Sequence, residues 1–191
     1  MRVLVVAAGP AGLMATFILA SRGIKAELVE KRGGPSKLAR ATIIVNRSLR
    51  MFDEIGILDD FVAASTPINH FKIYRNNKAL FDTALPKIAN RDLSCICLTQ
   101  DKTERILRDK LSKHDISVSY NREVIDVSSD DDGAAVTYND GETKHYDWVI
   151  AADGVRSSVR SSLEIPYEGF DLPYKFFIAD LKMKDDFDGF M

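Results

Sequence analysis

The sequence predicts an α/β fold, a parallel sheet with covering helices into which an antiparallel β-meander is inserted. Three observations predict it. Residues 3–21 (VLVVAAGPAGLMATFILAS) carry no charge, and Gly9-Pro10-Ala11-Gly12 divides that run into a β-branched strand and a helix. A second apolar strand follows at Ala26–Glu30. Strand, helix and strand thus fit within about 30 residues, the length of a right-handed βαβ unit. Further on, short strands alternate with Asp130-Asp131-Asp132-Gly133 and Asn139-Asp140-Gly141, turn chemistry that reads as a meander before one more apolar strand at Trp148–Ala151.

The elements between these landmarks follow from local pattern. The first helix runs to about Arg22, where Gly23 accepts the left-handed conformation that ends a helix. Leu49, Phe52 and Ile55 have helical spacing, and Gly56 closes that segment. Residues 71–74 and 79–81 flank Asn76-Asn77 and read as a hairpin. Residues 102–114 form a charged, amphipathic helix with Ile106, Leu107 and Leu111 inward. The predicted strands of the later region are 116–119, 124–127, 134–138 and 144–146. After Pro166 the chain turns extended and aromatic-rich.

Composition removes several function classes. A chain of 191 residues holds one full domain, or one domain and part of another. Charged residues make up 28% and the net charge is −2, with no basic block interleaved with aromatics, so no nucleic-acid partner is expected. Cys95 and Cys97 alternate on one strand, a spacing unsuited to zinc, and read as reduced thiols of a cytoplasmic protein. His70, His114 and His145 are scattered, and the acidic triplet at 130–132 lacks the ligand ladder of a calcium loop, so no metal site is expected. The uncharged run at 3–21 has the length of a membrane span, but the Gly-Pro interruption makes it a buried strand and its covering helix, and no membrane partner is expected.

The first turn carries the chemistry. Ala7-Ala8-Gly9-Pro10-Ala11-Gly12 places Gly9 where backbone must approach a pyrophosphate and Gly12 where helix and sheet must pack closely. Glu30 ends the second strand, 21 residues after Gly9, in the position that accepts hydrogen bonds from an adenosine ribose. The bland alternative is a solvated charge beside Lys31 and Arg32. Together these residues read as a Rossmann-type dinucleotide site, and the acidic residue argues against a 2′-phosphorylated ribose.

A second cluster, Asp153-Gly154-Val155-Arg156-Ser157-Ser158-Val159-Arg160, follows the strand Trp148–Ala151. Its D-G-x-x-S-x-x-R spacing resembles a conserved motif of the para-hydroxybenzoate hydroxylase-like flavoprotein monooxygenases. Arg40-Ala41, and Leu98-Thr99-Gln100 with Glu104 and Leu107, also match that family, and the resemblance covers residues 1 to about 165. It implies a Rossmann-type FAD-binding domain at 1–66 and 98–165, with part of a substrate-domain β-sheet at 67–97 and 166–191. It further implies that Gly9, Ala11 and Gly12 face the FAD pyrophosphate, and that Glu30, with Lys31 beside it, faces the adenosine ribose. Arg40 would reach the phosphates or ribityl chain, Gln100 the ribityl or flavin region, backbone at Val124 the adenine, and Asp153 the pyrophosphate or ribityl region. Arg160 would brace its own turn. The implied reaction uses NAD(P)H and O2 to hydroxylate an aromatic or polycyclic substrate, with no side chain here as catalytic acid, base or nucleophile. An FAD-dependent reductase or halogenase of the same fold, and a non-catalytic nucleotide-binding piece, remain as alternatives.

Two departures from the family pattern shape the expectations. Ala7 stands where the family has glycine, tolerable only if its φ stays negative. The family's later Gly-Asp motif is absent from the 191 residues. The chain therefore reads as shortened, an incomplete gene product or one half of a split protein, inactive alone. The apolar run 174–183 (YKFFIADLKM) would then expose a sheet edge and drive self-association.

Overall fold

The computed structural model describes residues 1–36, 42–68, 70–76, 78–88 and 93–174. Arg40, Ala41, Asn77 and residues 175–183 lie outside the described residues. In chain order the elements begin with β1 (Val3–Val6), α1 (Pro10–Ser21), β2 (Ala26–Glu30), β3 (Ile43–Val45), α2 (Asn46–Glu54) and α3 (Leu58–Ala63). They continue with β4 (Thr66–Ile68), β5 (His70–Arg75), β6 (Lys78–Ala84), β7 (Cys95–Cys97), α4 (Gln100–Ser112) and β8 (Val118–Tyr120). The last are β9 (Val124–Asp130), β10 (Gly133–Tyr138), β11 (Thr143–Tyr146), β12 (Trp148–Ala151) and α5 (Ser158–Ser162). The chain forms two compact units, one of Met1–Thr42 and Leu98–Pro166, the other of Ile43–Cys97 with the residues from Tyr167 on.

The first unit is built on a four-stranded sheet in the order β12-β1-β2-β8, with every pairing parallel. All four residues of β1 are buried, as a strand covered on both faces requires. Side chains alternate between those faces. Leu4, Val6 and Val29 pack with Val124, Val127, Ala134, Val136, Tyr138 and Tyr146 of the antiparallel meander β9-β10-β11. Helices α1 and α4 pack on each other, burying Leu13 and Phe17 from one and Leu107 and Leu111 from the other. Each fully buried aliphatic or aromatic side chain contributes about 1.5–3 kcal/mol. The meander layer also buries hydroxyls, and each is paired. Tyr146 donates to Glu27 Oε2 at 2.8 Å, and the Tyr138 and Tyr146 hydroxyls lie 2.8 Å apart, so Tyr138 donates to Tyr146.

Two expectations for this unit shift. The strand predicted at 116–119 is β8, Val118–Tyr120, because Ile116 first closes the end of α4 through its N–H to Leu111 O. On α4, Leu107 and Leu111 are buried as expected, but Thr103 and Glu104 join them and Ile106 is only half-buried. A buried carboxylate on a helix face is a feature that apolar periodicity cannot register.

The second unit holds a three-stranded antiparallel sheet, β3-β7-β4, and the hairpin β5-β6. Leu49 and Phe52 of α2 and Leu58 and Phe61 of α3 are buried, and the two phenylalanine rings lie 4.4 Å apart. The predicted hairpin is present, with Asn76 at φ 49° in its turn and Phe71 edge-on to Phe81. Strands β3 and β4 have three residues each, too short to show a period of two. Cys95 and Cys97 are free thiols on either side of the fully buried Ile96.

Candidate cofactor-binding site

The turn after β1 is shaped by backbone rather than by side chains. Ala7 N donates to Val29 O at 2.8 Å and Ala8 N to Glu30 Oε2 at 2.9 Å, tying the strand end to β2. Helix α1 then starts with Pro10 at its first position, where a missing N–H costs nothing, and no side chain caps it. A Cβ on Gly12 would lie 1.9 Å from Ala7 O and 3.4 Å from Ala152 Cβ, so only glycine lets the helix close on the turn. A Cβ on Gly9 would meet nothing within 4 Å. Gly9 lines a cleft, where uncrowded backbone is what an approaching pyrophosphate needs.

Ala7 itself corrects an expectation. Its φ is +80°, not negative. The turn therefore holds a methyl-bearing residue in the left-handed region, at a cost on the order of 1–2 kcal/mol. Packing of the buried β1 and α1 maintains it.

Glu30 is 4% exposed and fully engaged. Its Oε1 accepts from Arg32 N at 3.0 Å and Arg32 Nε at 2.9 Å, while Oε2 accepts from Ala8 N and from Arg32 Nη2 at 3.0 Å. Burial pushes its carboxyl up, but hydrogen bonds from the Arg32 side chain and backbone and from Ala8 outweigh it and hold the group below the usual carboxylate range. Glu30 is therefore an anion aimed at the cleft.

The turn after β12 is organised by side chains. Asp153 Oδ1 accepts from Ser157 Oγ at 2.7 Å, and Oδ2 accepts from Ser158 N at 2.8 Å, Ser158 Oγ at 3.3 Å and Val159 N at 3.3 Å. Ser157 caps α5 by accepting from Arg160 N, and Arg160 Nη2 donates to Val155 O at 2.8 Å across the turn. Gly154 takes φ +79°, which a side chain would strain.

These pieces converge on a cleft of about 340 Å³ at the C-terminal ends of β1, β2 and β12. β2 and β12 flank β1 on opposite sides, so the cleft sits where the strand order reverses, the crevice in which open α/β sheets take ligands. Of the residues singled out from sequence, Gly9, Glu30, Lys31, Gln100, Val124 and Asp153 line it. Ala11 is exposed and Gly12 buried, both in the first turn of α1 and off the lining. Arg40 lies outside the described residues. Arg32, Arg122 and Glu123 also line the cleft without a site role assigned from sequence, as does Glu104, which was quoted only as part of a family match. A signal existed for two of them. Arg32 is two residues beyond the strand-terminal Glu30, and Glu104 is one helical turn after Gln100, whose Nε2 donates to Glu104 Oε1 at 2.8 Å. Arg122 is held at the rim by Asp140 at 2.8 Å and by Glu142, with its guanidinium 3.8 Å from the Tyr138 ring centre.

A glycine cradle at a helix start, a buried acid at the next strand end and a self-braced turn on the third strand define a Rossmann-type dinucleotide-binding domain. Among the described residues no group of three or more His, Cys, Asp or Glu is placed to hold a metal, and no helix is long and apolar enough to cross a membrane. Across residues 1–191 the chain matches the FAD binding domain family, and it belongs to that family. It is 28% identical over 190 residues to 6-methylpretetramide 4-monooxygenase of Streptomyces rimosus, covering 97% of this chain and 34% of the relative. It is 31% identical over 182 residues to pentachlorophenol 4-monooxygenase of Sphingobium chlorophenolicum, covering 88% and 32%. In fold it is similar to p-nitrophenol 4-monooxygenase PnpA from Pseudomonas putida DLL-E4, with a TM-score of 0.80 at 24% identity over 88% of this chain and 44% of that one. The chain thus spans about a third of the length of the curated relatives it matches. Its cofactor is FAD, and the geometry above fits that group.

Proposed function

We propose that the whole protein is an FAD-dependent monooxygenase that uses NAD(P)H and O2 to hydroxylate an aromatic or polycyclic small molecule, in the cytoplasm. The observation that carries the reading is the cleft itself, which joins the Gly9 cradle, the buried Glu30 and the Asp153-Gly154 turn at the ends of three parallel strands. The substrate class is supported by relatives acting on 6-methylpretetramide and pentachlorophenol. The compartment is supported by Cys95 and Cys97 being free thiols. FAD supplies the oxygen-transfer chemistry when bound, and the protein's part is positioning and electrostatics.

In this proposal the backbone from Gly9 through Ala11 and Gly12 faces the pyrophosphate, and Glu30 accepts from the adenosine ribose with Lys31 beside it. Backbone at Val124 meets the adenine. Gln100 and Arg40 reach toward the ribityl chain, and the Asp153-Gly154 turn closes the far side. Asp153 acts here by holding the turn, since both of its carboxylate oxygens are engaged within it. Residues 67–97 and 166–191 belong to the substrate domain. The test uses the full-length protein with FAD, NADPH, a panel of phenols and isotopically labelled O2. Hydroxylated product carrying one labelled oxygen is expected. NADPH oxidation that gives only hydrogen peroxide across the panel contradicts the reading.

A further inference from the structure

Glu30 and Glu104 are both buried carboxylates lining one cleft, and they differ in how they are paired. A carboxylate offers about four lone-pair sites. On Glu30 all four are taken, by two backbone donors, Ala8 N and Arg32 N, and two side-chain donors, Arg32 Nε and Nη2. Ribose hydroxyls that donate to Glu30 therefore need donors to leave. The backbone pair belongs to the strand end and cannot. The Arg32 guanidinium can, and it holds one site on each oxygen, the number two vicinal hydroxyls would use.

A guanidinium released inside a cleft must find another anion, because an unpaired charge there is costly. Glu104 is 1% exposed, and its Oε1 accepts from Gln100. Among the described residues its Oε2 has no hydrogen-bond partner, the nearest cation being Arg108 Nη1 at 3.6 Å. The buried Tyr120 hydroxyl has no partner either. Glu104 lines the same cleft as Arg32, and Tyr120 of β8 pairs with Glu30 of β2. An open carboxylate oxygen on the cleft lining and an open hydroxyl on the strand beside Glu30 are thus available to a released guanidinium.

We propose that Arg32 is a movable counter-ion shared by two buried carboxylates: it yields Glu30 to the ribose hydroxyls of the bound dinucleotide and re-seats on Glu104 Oε2 and the Tyr120 hydroxyl. Glu104 is then a positioning residue that never touches the cofactor but sets how easily Glu30 becomes available to it. The inference rests on the reading of this cleft as the FAD site.

The test titrates the full chain with ADP and with FAD while following the Nε–H resonances of its ¹⁵N-labelled arginines. Arg32→Ala, Glu104→Gln and the double variant are compared, with thermal melting as a folding control. ADP is expected to shift the Arg32 Nε resonance in the wild type. Glu104→Gln should weaken ADP roughly tenfold when Arg32 is present, and less than about twofold when it is Ala, coupling of the size seen within one hydrogen-bond network. An Arg32 resonance that stays in place at saturating ADP overturns the exchange while leaving the FAD site intact. So does an equal Glu104→Gln effect in both backgrounds. Failure of the folded wild type to bind either nucleotide overturns the FAD assignment and the exchange with it.

Discussion

The two strand-to-helix turns at the cleft, Ala7–Gly12 after β1 and Asp153–Ser158 after β12, do the same topological job by opposite means. The first has no side-chain cap and relies on the close approach of Gly12 to Ala7 O, so its helix start is left to whatever lies in the cleft. The second satisfies itself, with Asp153 and Ser157 accepting from Ser158 N, Val159 N and Arg160 N. In the proposed reading the first receives an anion, whereas the second spends its amides on its own side chains. Both are short, small-residue segments containing glycine, and their sequences do not announce this difference. It emerges from which amides are already paired.

The largest effect should come from breaking the first turn. Gly12→Ala puts a Cβ against backbone at Ala7, with no flexible side chain to give way. Urea unfolding should show a loss of about 3 kcal/mol, the upper range for overpacking. Unchanged stability would mean that α1 does not close on the turn as described. Asp153→Ala removes the acceptor of two hydroxyls and two amides in the second turn. The same measurement should show about 2 kcal/mol lost, with partial recovery in Asp153→Asn, as expected for a capping residue. The smallest effect runs the other way. Ala7→Gly relieves φ +80° but adds freedom to the unfolded chain, so a net gain of about 0.5–1 kcal/mol is expected. A loss of stability on that change would show that the alanine methyl is packed rather than strained.

What could be read from sequence follows the same division. β1, α1 and β2 were legible because an uncharged run broken once by Gly-Pro leaves few other folds, and the meander because its turns carry Asp-Gly and Asn-Asp-Gly. The three-residue strands β3 and β4 were not, being shorter than any periodicity. At the site, Glu30 was legible from its distance to Gly9. Its clamp by Arg32 was not, because spacing reports where an acid stands and not what already occupies it. Glu104 was named with Gln100 for its family match, but its burial was not legible, since a charged residue on a charged amphipathic helix looks solvated. The φ of Ala7 ran against its residue type, a choice that only tertiary packing can impose.

The central claim is that FAD lies with its pyrophosphate against the Gly9 turn, and Gly9→Asp tests it most directly. Gly9 has φ −76° in the helix N-cap position, and its Cβ direction is open, so aspartate fits the fold and is a good cap for α1. On a residue lining the cleft, the same carboxylate adds a negative charge that repels a pyrophosphate bound there. Thermal melting and FAD titration on one sample separate the two consequences. The account predicts an unchanged or slightly raised melting temperature together with FAD binding weakened by about a hundredfold or more, on the order of 3 kcal/mol. A folded Gly9→Asp protein that binds FAD as tightly as the wild type would contradict it.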